Sequence, residues 1–136
     1  MYEAQLRDVA FFRKLSKREL AAVAQQTDEV DVSSGKELTR EGEFGQEFFV
    51  IIDGTAEVLL GDSPIAELGP GEFFGEMALV DEERRTATVR AISPMRVLVM
   101  TRQSFRDMDR AMPQIHEAVA EAIKERRAAL QAVAAG

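Results

Sequence analysis

The sequence predicts a mainly β domain with helices at both ends. Between residues 28 and 101, short apolar or alternating runs recur, each closed by a glycine, proline, serine or aspartate turn signal. That pattern belongs to a sandwich or barrel. On either side of this stretch, the apolar residues fall back to a helical spacing. The chain has 136 residues, of which 46% are hydrophobic and 30% charged, enough for one domain with a real core and a solvated surface.

Residues 2 to 26 read as helical, with Leu6, Val9 and Phe12 near one face. Ser16-Lys17-Arg18-Glu19 is a capping box, in which the serine hydroxyl meets the Glu19 amide and the glutamate reaches back. Leu15 before the cap and Leu20 after it form a hydrophobic staple, so a second short helix starts at Lys17 and ends near Gln26. Then the period changes. Val30 and Val32 alternate with acidic residues, Ser33-Ser34-Gly35 turns, and Glu41 to Gly45 is another break. Phe48 to Ile52 is a buried-strand run, and Asp53-Gly54 is the strongest short hairpin signal in the chain. Ala56, Val58 and Leu60 alternate with more polar neighbours. Gly61-Asp62-Ser63-Pro64 turns into a short strand, Ile65 to Leu68. Thr86 to Ala91 and Met95 to Met100 are strands parted by Ser93-Pro94. Thr101 is a helix N-cap, and Phe105 and Met108 follow three apart. Pro113 suits the first turn of a last helix. Its stripe is Ile115, Val119, Ile123, Leu130 and Val133, broken by Arg126. With no repeat or low-complexity linker, residues 1–136 read as a single domain: N-terminal helices 1–27, β-structure 28–101 and C-terminal helices 102–136.

Composition removes several functions. No run approaches the roughly 20 apolar residues of a membrane helix, and the N-terminus lacks the pattern of a secretory signal. There is no cysteine, hence no disulfide or thiolate chemistry, which fits a cytoplasmic protein. A net charge of −7 without a basic cluster argues against nucleic acid. His116 is the only histidine and reads as a surface residue of a helix. A metal enzyme on a β-barrel needs several histidines and carboxylates facing the interior, so neither a metal nor catalysis is expected. The six methionines read as gap-fillers, and Phe48, Phe49, Phe73 and Phe74 as core, with Phe74 bordering any pocket.

The chemistry gathers between Gly71 and Val89. If a strand runs from about Arg85, then Arg85, Ala87, Val89 and Ala91 share its inner face, while Arg84, Thr86, Thr88 and Arg90 face water. An inward arginine needs an anion, because an unpaired buried charge is costly. Glu76 or Asp81 would serve as a structural partner. A ligand phosphate would fit the planar guanidinium in bidentate fashion. Glycines around Phe74-Gly75-Glu76-Met77-Ala78 let backbone approach a ligand, and a helical turn opening near Gly75 would present amides to an anion. Glu76 is out of place beside an anion unless it accepts from a ligand hydroxyl, such as a ribose 2′-hydroxyl; otherwise it is a solvated helix-start residue. One arginine plus backbone dipoles match one negative charge, and the Asp81-Glu82-Glu83 run opposes a triphosphate. A singly charged cyclic phosphate joined to ribose fits.

The string Phe74-Gly75-Glu76-Met77-Ala78-Leu79, a loop, then Arg85-Thr86-Ala87-Thr88-Val89 closely resembles the phosphate-binding cassette of cyclic nucleotide-binding domains. Such domains occur in cAMP receptor proteins, cyclic nucleotide-dependent kinases and cyclic nucleotide-gated channels. Gly42, Gly54 and Gly71 also match. The resemblance implies an eight-stranded antiparallel jelly-roll, or β-roll, with N-terminal and C-terminal helices and its cassette at 71–89. It implies that Glu76 binds the ribose 2′-hydroxyl and Arg85 the cyclic phosphate of cAMP or cGMP. Amides near Gly75, Met77, Ala78 and Ala87 would line the phosphate, and the Thr86 hydroxyl would suit a guanine amino group, although strand parity points it outward. It implies a last helix that moves over the base, with Ile123, Arg126 or Arg127 as lid. A protein effector or a homodimer through the C-terminal helix would be the partner. The alternative is a domain of this fold that has lost its ligand and acts as an interaction module, against which the intact Glu76 and Arg85 argue.

Overall fold

The computed structural model describes residues 15–79 and 84–114, together with 116, 117, 120, 121 and 124. The expected first helical face (Leu6, Val9, Phe12), the Asp81–Glu83 loop, the stripe Ile115, Val119, Ile123, Leu130 and Val133, and the lid arginines Arg126 and Arg127 lie outside the described residues, as do the side chains of Glu76 and Met77.

Helix α1 spans Lys17–Gln25 and is capped as its sequence dictates. The Glu19 amide donates to Ser16 Oγ at 3.1 Å, and the Ser16 amide donates to Glu19 Oε1 at 2.9 Å. Leu15, Leu20 and Val23 are buried beneath it. Among the described residues, eight strands follow: β1 (Asp28–Val32), β2 (Glu37–Thr39), β3 (Glu47–Asp53), β4 (Ala56–Leu60), β5 (Ser63–Leu68), β6 (Phe73–Phe74), β7 (Thr88–Ala91) and β8 (Met95–Thr101). They form two antiparallel four-stranded sheets, ordered β1-β8-β3-β6 and β2-β7-β4-β5. Helix α2 (Arg102–Ala111) leaves β8 directly, with Thr101 as N-cap accepting from the Ser104 amide at 3.1 Å. Residues 113, 114, 116, 117, 120, 121 and 124 are helical as well.

The run Phe48 to Ile51 is buried on both faces because β3 lies between two layers. Phe49 and Ile51 join Val32, Phe74, Val89, Val97 and Val99 between the sheets. Phe48 and Val50 turn the other way and pack with Leu98, Met100, Leu20, Val23, Phe105 and Met108 beneath the helices. A strand buried on both faces reads as a continuous apolar run, as here.

Several sequence expectations need correction. Asp53-Gly54 is not a hairpin: β3 and β4 belong to different sheets, and both edges of β3 are taken, by β8 and β6. Gly54 instead carries the chain between layers with φ +90°, and a Cβ there would meet Met95 Cα at 2.8 Å. The hairpin is at Gly61-Asp62, where Leu60 pairs with Ser63. Pro64 is accommodated because β5 is an edge strand. Val30 is exposed although Val32 is buried, and it lines a cavity of about 260 Å³ with Leu38, Phe49 and Val97. The seventh strand begins at Thr88, not Thr86. His116 is half-buried rather than a surface residue, its ring stacked on Phe105 with centroids 4.2 Å apart.

Candidate ligand-binding site

The segment joining β6 to β7 carries the residues expected to form the site, and its base is anchored. The Gly71 amide donates to Ile51 O and the Ile51 amide to Glu72 O, each at 2.9 Å, so the segment is rooted on β3. Phe74 is buried, stacked on Phe49 with ring centroids 4.8 Å apart. Gly75 follows with φ +81°, a conformation side chains disfavour. The tight helical turn Glu76–Leu79 comes next, with Ala78 and Leu79 buried. The Ala78 amide already donates to Gly75 O at 3.2 Å, so it is engaged within the turn.

Arg85 does not lie on β7, so strand parity is not what turns it inward, although Val89 and Ala91 are buried as parity requires. Its backbone instead pairs with the loop before β3. The Gly42 amide donates to Arg85 O at 2.9 Å, and the Arg85 amide donates to Glu43 O at 2.7 Å. The half-buried side chain then donates through Nη1 to Gly75 O at 3.3 Å and through Nη2 to Glu47 O at 2.7 Å. The guanidinium is thereby set between the turn at Gly75 and the start of β3. Arg84 faces water as expected, lying over the Phe44 ring at 4.4 Å and donating to Gly42 O at 2.7 Å. Thr86 is exposed; Ala87 is half-buried, and its carbonyl accepts from Thr39 Oγ1 at 3.2 Å.

A cleft of about 250 Å³ opens beside Arg85, lined also by Glu37, Thr39, Arg40, Glu43 and Gly45. Arg40 is met by two carboxylates, Glu37 Oε2 at 2.8 Å and Glu43 Oε1 at 3.8 Å. The Glu37 hydrogen bond, then the charges of Glu37 and Glu43, hold its guanidinium above the usual arginine range. Among the described residues, no group of histidines and carboxylates is arranged to hold a metal ion.

Two residues escaped the sequence reading. Arg102, 8% exposed, donates through Nε to Ala78 O at 2.6 Å, while its amide donates to Gln46 O at 2.7 Å. No local signal marks it, since an arginine just after an N-cap reads as solvated; tertiary packing alone buries it. Gly45 lies against the Arg85 guanidinium. Its signal, a glycine in the break Glu41–Gly45, was visible without its purpose.

Residues 29–111 match the family described as the cyclic nucleotide-binding domain. The chain belongs to that family. This cyclic nucleotide-binding domain is 35% identical over 114 residues to a cAMP-dependent protein kinase regulatory subunit of Mycosarcoma maydis, covering 77% of this chain and 22% of the subunit. It spans about a third or less of the length of the curated relatives it matches. The N-terminal domain of a transcriptional regulator from Streptomyces coelicolor superposes with a TM-score of 0.84 at 25% identity, covering 95% of this chain and 94% of that one. The regulatory domain of Toxoplasma gondii PKA, solved with cAMP, gives 0.73 at 27% identity, covering 92% of this chain and 49% of that one. The eight-stranded, helix-flanked fold implied by the cassette is thus the fold observed, as two facing sheets rather than a closed barrel.

Proposed function

We propose that this domain binds cAMP reversibly, with cGMP as the alternative ligand, and passes occupancy to its terminal helices. One observation carries the reading: a half-buried arginine, in a family that is cyclic nucleotide-binding, is held by backbone carbonyls beside a glycine turn and a cleft. Held this way, the guanidinium is oriented in advance, which lowers the ordering cost of meeting a ligand phosphate. Arg85 takes the cyclic phosphate, with amides around Gly75, Met77, Ala78 and Ala87 nearby. Engaging the Ala78 amide would require it to leave Gly75 O. Glu76 takes the ribose 2′-hydroxyl, Phe74 closes the floor, and Thr86 suits a guanine amino group. The similarity to a cAMP-dependent kinase regulatory subunit and to a kinase regulatory domain solved with cAMP supports cAMP as the first ligand to test.

The route to the helices runs through Arg102. It is the first residue of α2 and donates to Ala78 O in the turn, so movement of the turn pulls on the helix that leads to the C-terminal segment. A protein effector or a second copy would read that segment. The domain does no chemistry on its ligand and works in the cytoplasm. Parallel calorimetric titrations with cAMP and cGMP test the reading, and saturable heat with at least one is expected. No heat, together with a melting temperature unmoved by either nucleotide at millimolar concentration, would overturn it in favour of the interaction-module alternative.

A further inference from the structure

Among the described glycines, Gly45 stands apart. Gly35, Gly42, Gly54, Gly61, Gly71 and Gly75 have positive φ, which accounts for them through the backbone. Gly69 has no positive φ, and a Cβ there would meet nothing within 4 Å. Gly45 has no positive φ either, yet a Cβ on it would land on Arg85 Nε, Cζ and Nη2. Its backbone does not lie in the left-handed region that favours glycine; what leaves no room for a side chain is the end of one arginine. On the other side, a Cβ on Gly75 would meet Arg85 Nη1 at 2.8 Å. The guanidinium therefore runs through a slot walled by two glycines, and its hydrogen bonds to Glu47 O and Gly75 O define the slot's ends.

We infer that Gly45 is a positioning residue for Arg85: its missing side chain is the clearance that lets the guanidinium reach the ligand's anionic group. The inference deepens the cyclic nucleotide reading and rests on it for the ligand. The contact a new methyl would make is with the far end of a flexible side chain, so the arginine rather than the fold gives way. Displacement by about 1 Å is enough to spoil a bidentate contact.

The test uses four forms of the full chain: wild type, Gly45→Ala, Arg85→Ala and the double variant. Each is titrated with cAMP by calorimetry and melted, and the Arg85 side-chain Nε–Hε resonance is recorded in the ligand-free wild type and in Gly45→Ala. Gly45→Ala is expected to melt like wild type, to shift that resonance, and to bind cAMP roughly ten-fold or more weakly, as for a truncated charge contact. In the Arg85→Ala background the same change is expected to add nothing, the signature of two residues acting through one contact. Wild-type affinity in Gly45→Ala, an unmoved resonance, additive losses in the double variant, or a collapse of folding would each overturn the positioning role. A wild type that binds no cyclic nucleotide would sink the ligand reading instead, while the resonance still decides whether Gly45 sets the arginine.

Discussion

Arg85 shows how a correct expectation about one residue can rest on the wrong local reason. Alternation along a strand pointed it inward, but the strand starts three residues later, and loop pairing with Gly42 and Glu43 turns the side chain in. The sequence carried the residue type and its neighbourhood. It did not carry the two carbonyl acceptors, because backbone acceptors leave no mark in a sequence. Replacing Arg85 with alanine should weaken cAMP binding roughly thirty-fold or more, about 2–5 kcal/mol, since the ring phosphate then sits desolvated and unpaired. Calorimetry giving wild-type affinity would remove Arg85 from this role. For Glu76→Ala a smaller loss is expected, with preference for cAMP over its 2′-deoxy analogue reduced. Competition binding that leaves this preference intact would free the ribose assignment from Glu76. Arg102 was illegible for a different reason: its burial depends on where the turn at Ala78 packs, a contact between residues far apart in the chain.

Among elements, those specified by local rules were the legible ones. The capping box at Ser16, the N-cap at Thr101 and the apolar run of β3 each declare themselves within a few residues. Strands β2 and β6 were missed, being three and two residues long. A strand that short has no period to detect; pairing with β7 and β3 makes it a strand. Asp53-Gly54 fails instructively. The dipeptide specifies a left-handed backbone turn, and only the sheet assignment decides whether the strands beside it pair with each other. Gly54→Ala should cost about 1–3 kcal/mol for backbone strain alone, and more because the new Cβ meets Met95 Cα rather than a movable side-chain tip. A urea midpoint equal to that of wild type would show that the crossover tolerates a side chain and that its geometry differs from the one described.

For the molecule as a whole, the class was legible because alternation and turn signals add up over seventy residues, and no single one needs to be right. Strand order was not legible, since pairing partners lie far apart: Asp28 sits opposite Val99, and Glu37 opposite Arg90. The two strands that come last in the chain occupy central places, β8 between β1 and β3, and β7 between β2 and β4. A chain growing from its N-terminus therefore has only the β3–β6 and β4–β5 ladders to form until residue 88 is made; the β2-β7-β4-β5 layer is whole at residue 91, and the β1-β8-β3-β6 layer only at residue 101. Stopping synthesis at Pro94 should leave a polypeptide without a cooperative melt, and a sharp transition in that fragment would contradict this order of assembly. Birth on the ribosome is then a waiting period: each layer is closed by a late strand, one after the other, and each closure spans a long loop before the core between the sheets can be completed.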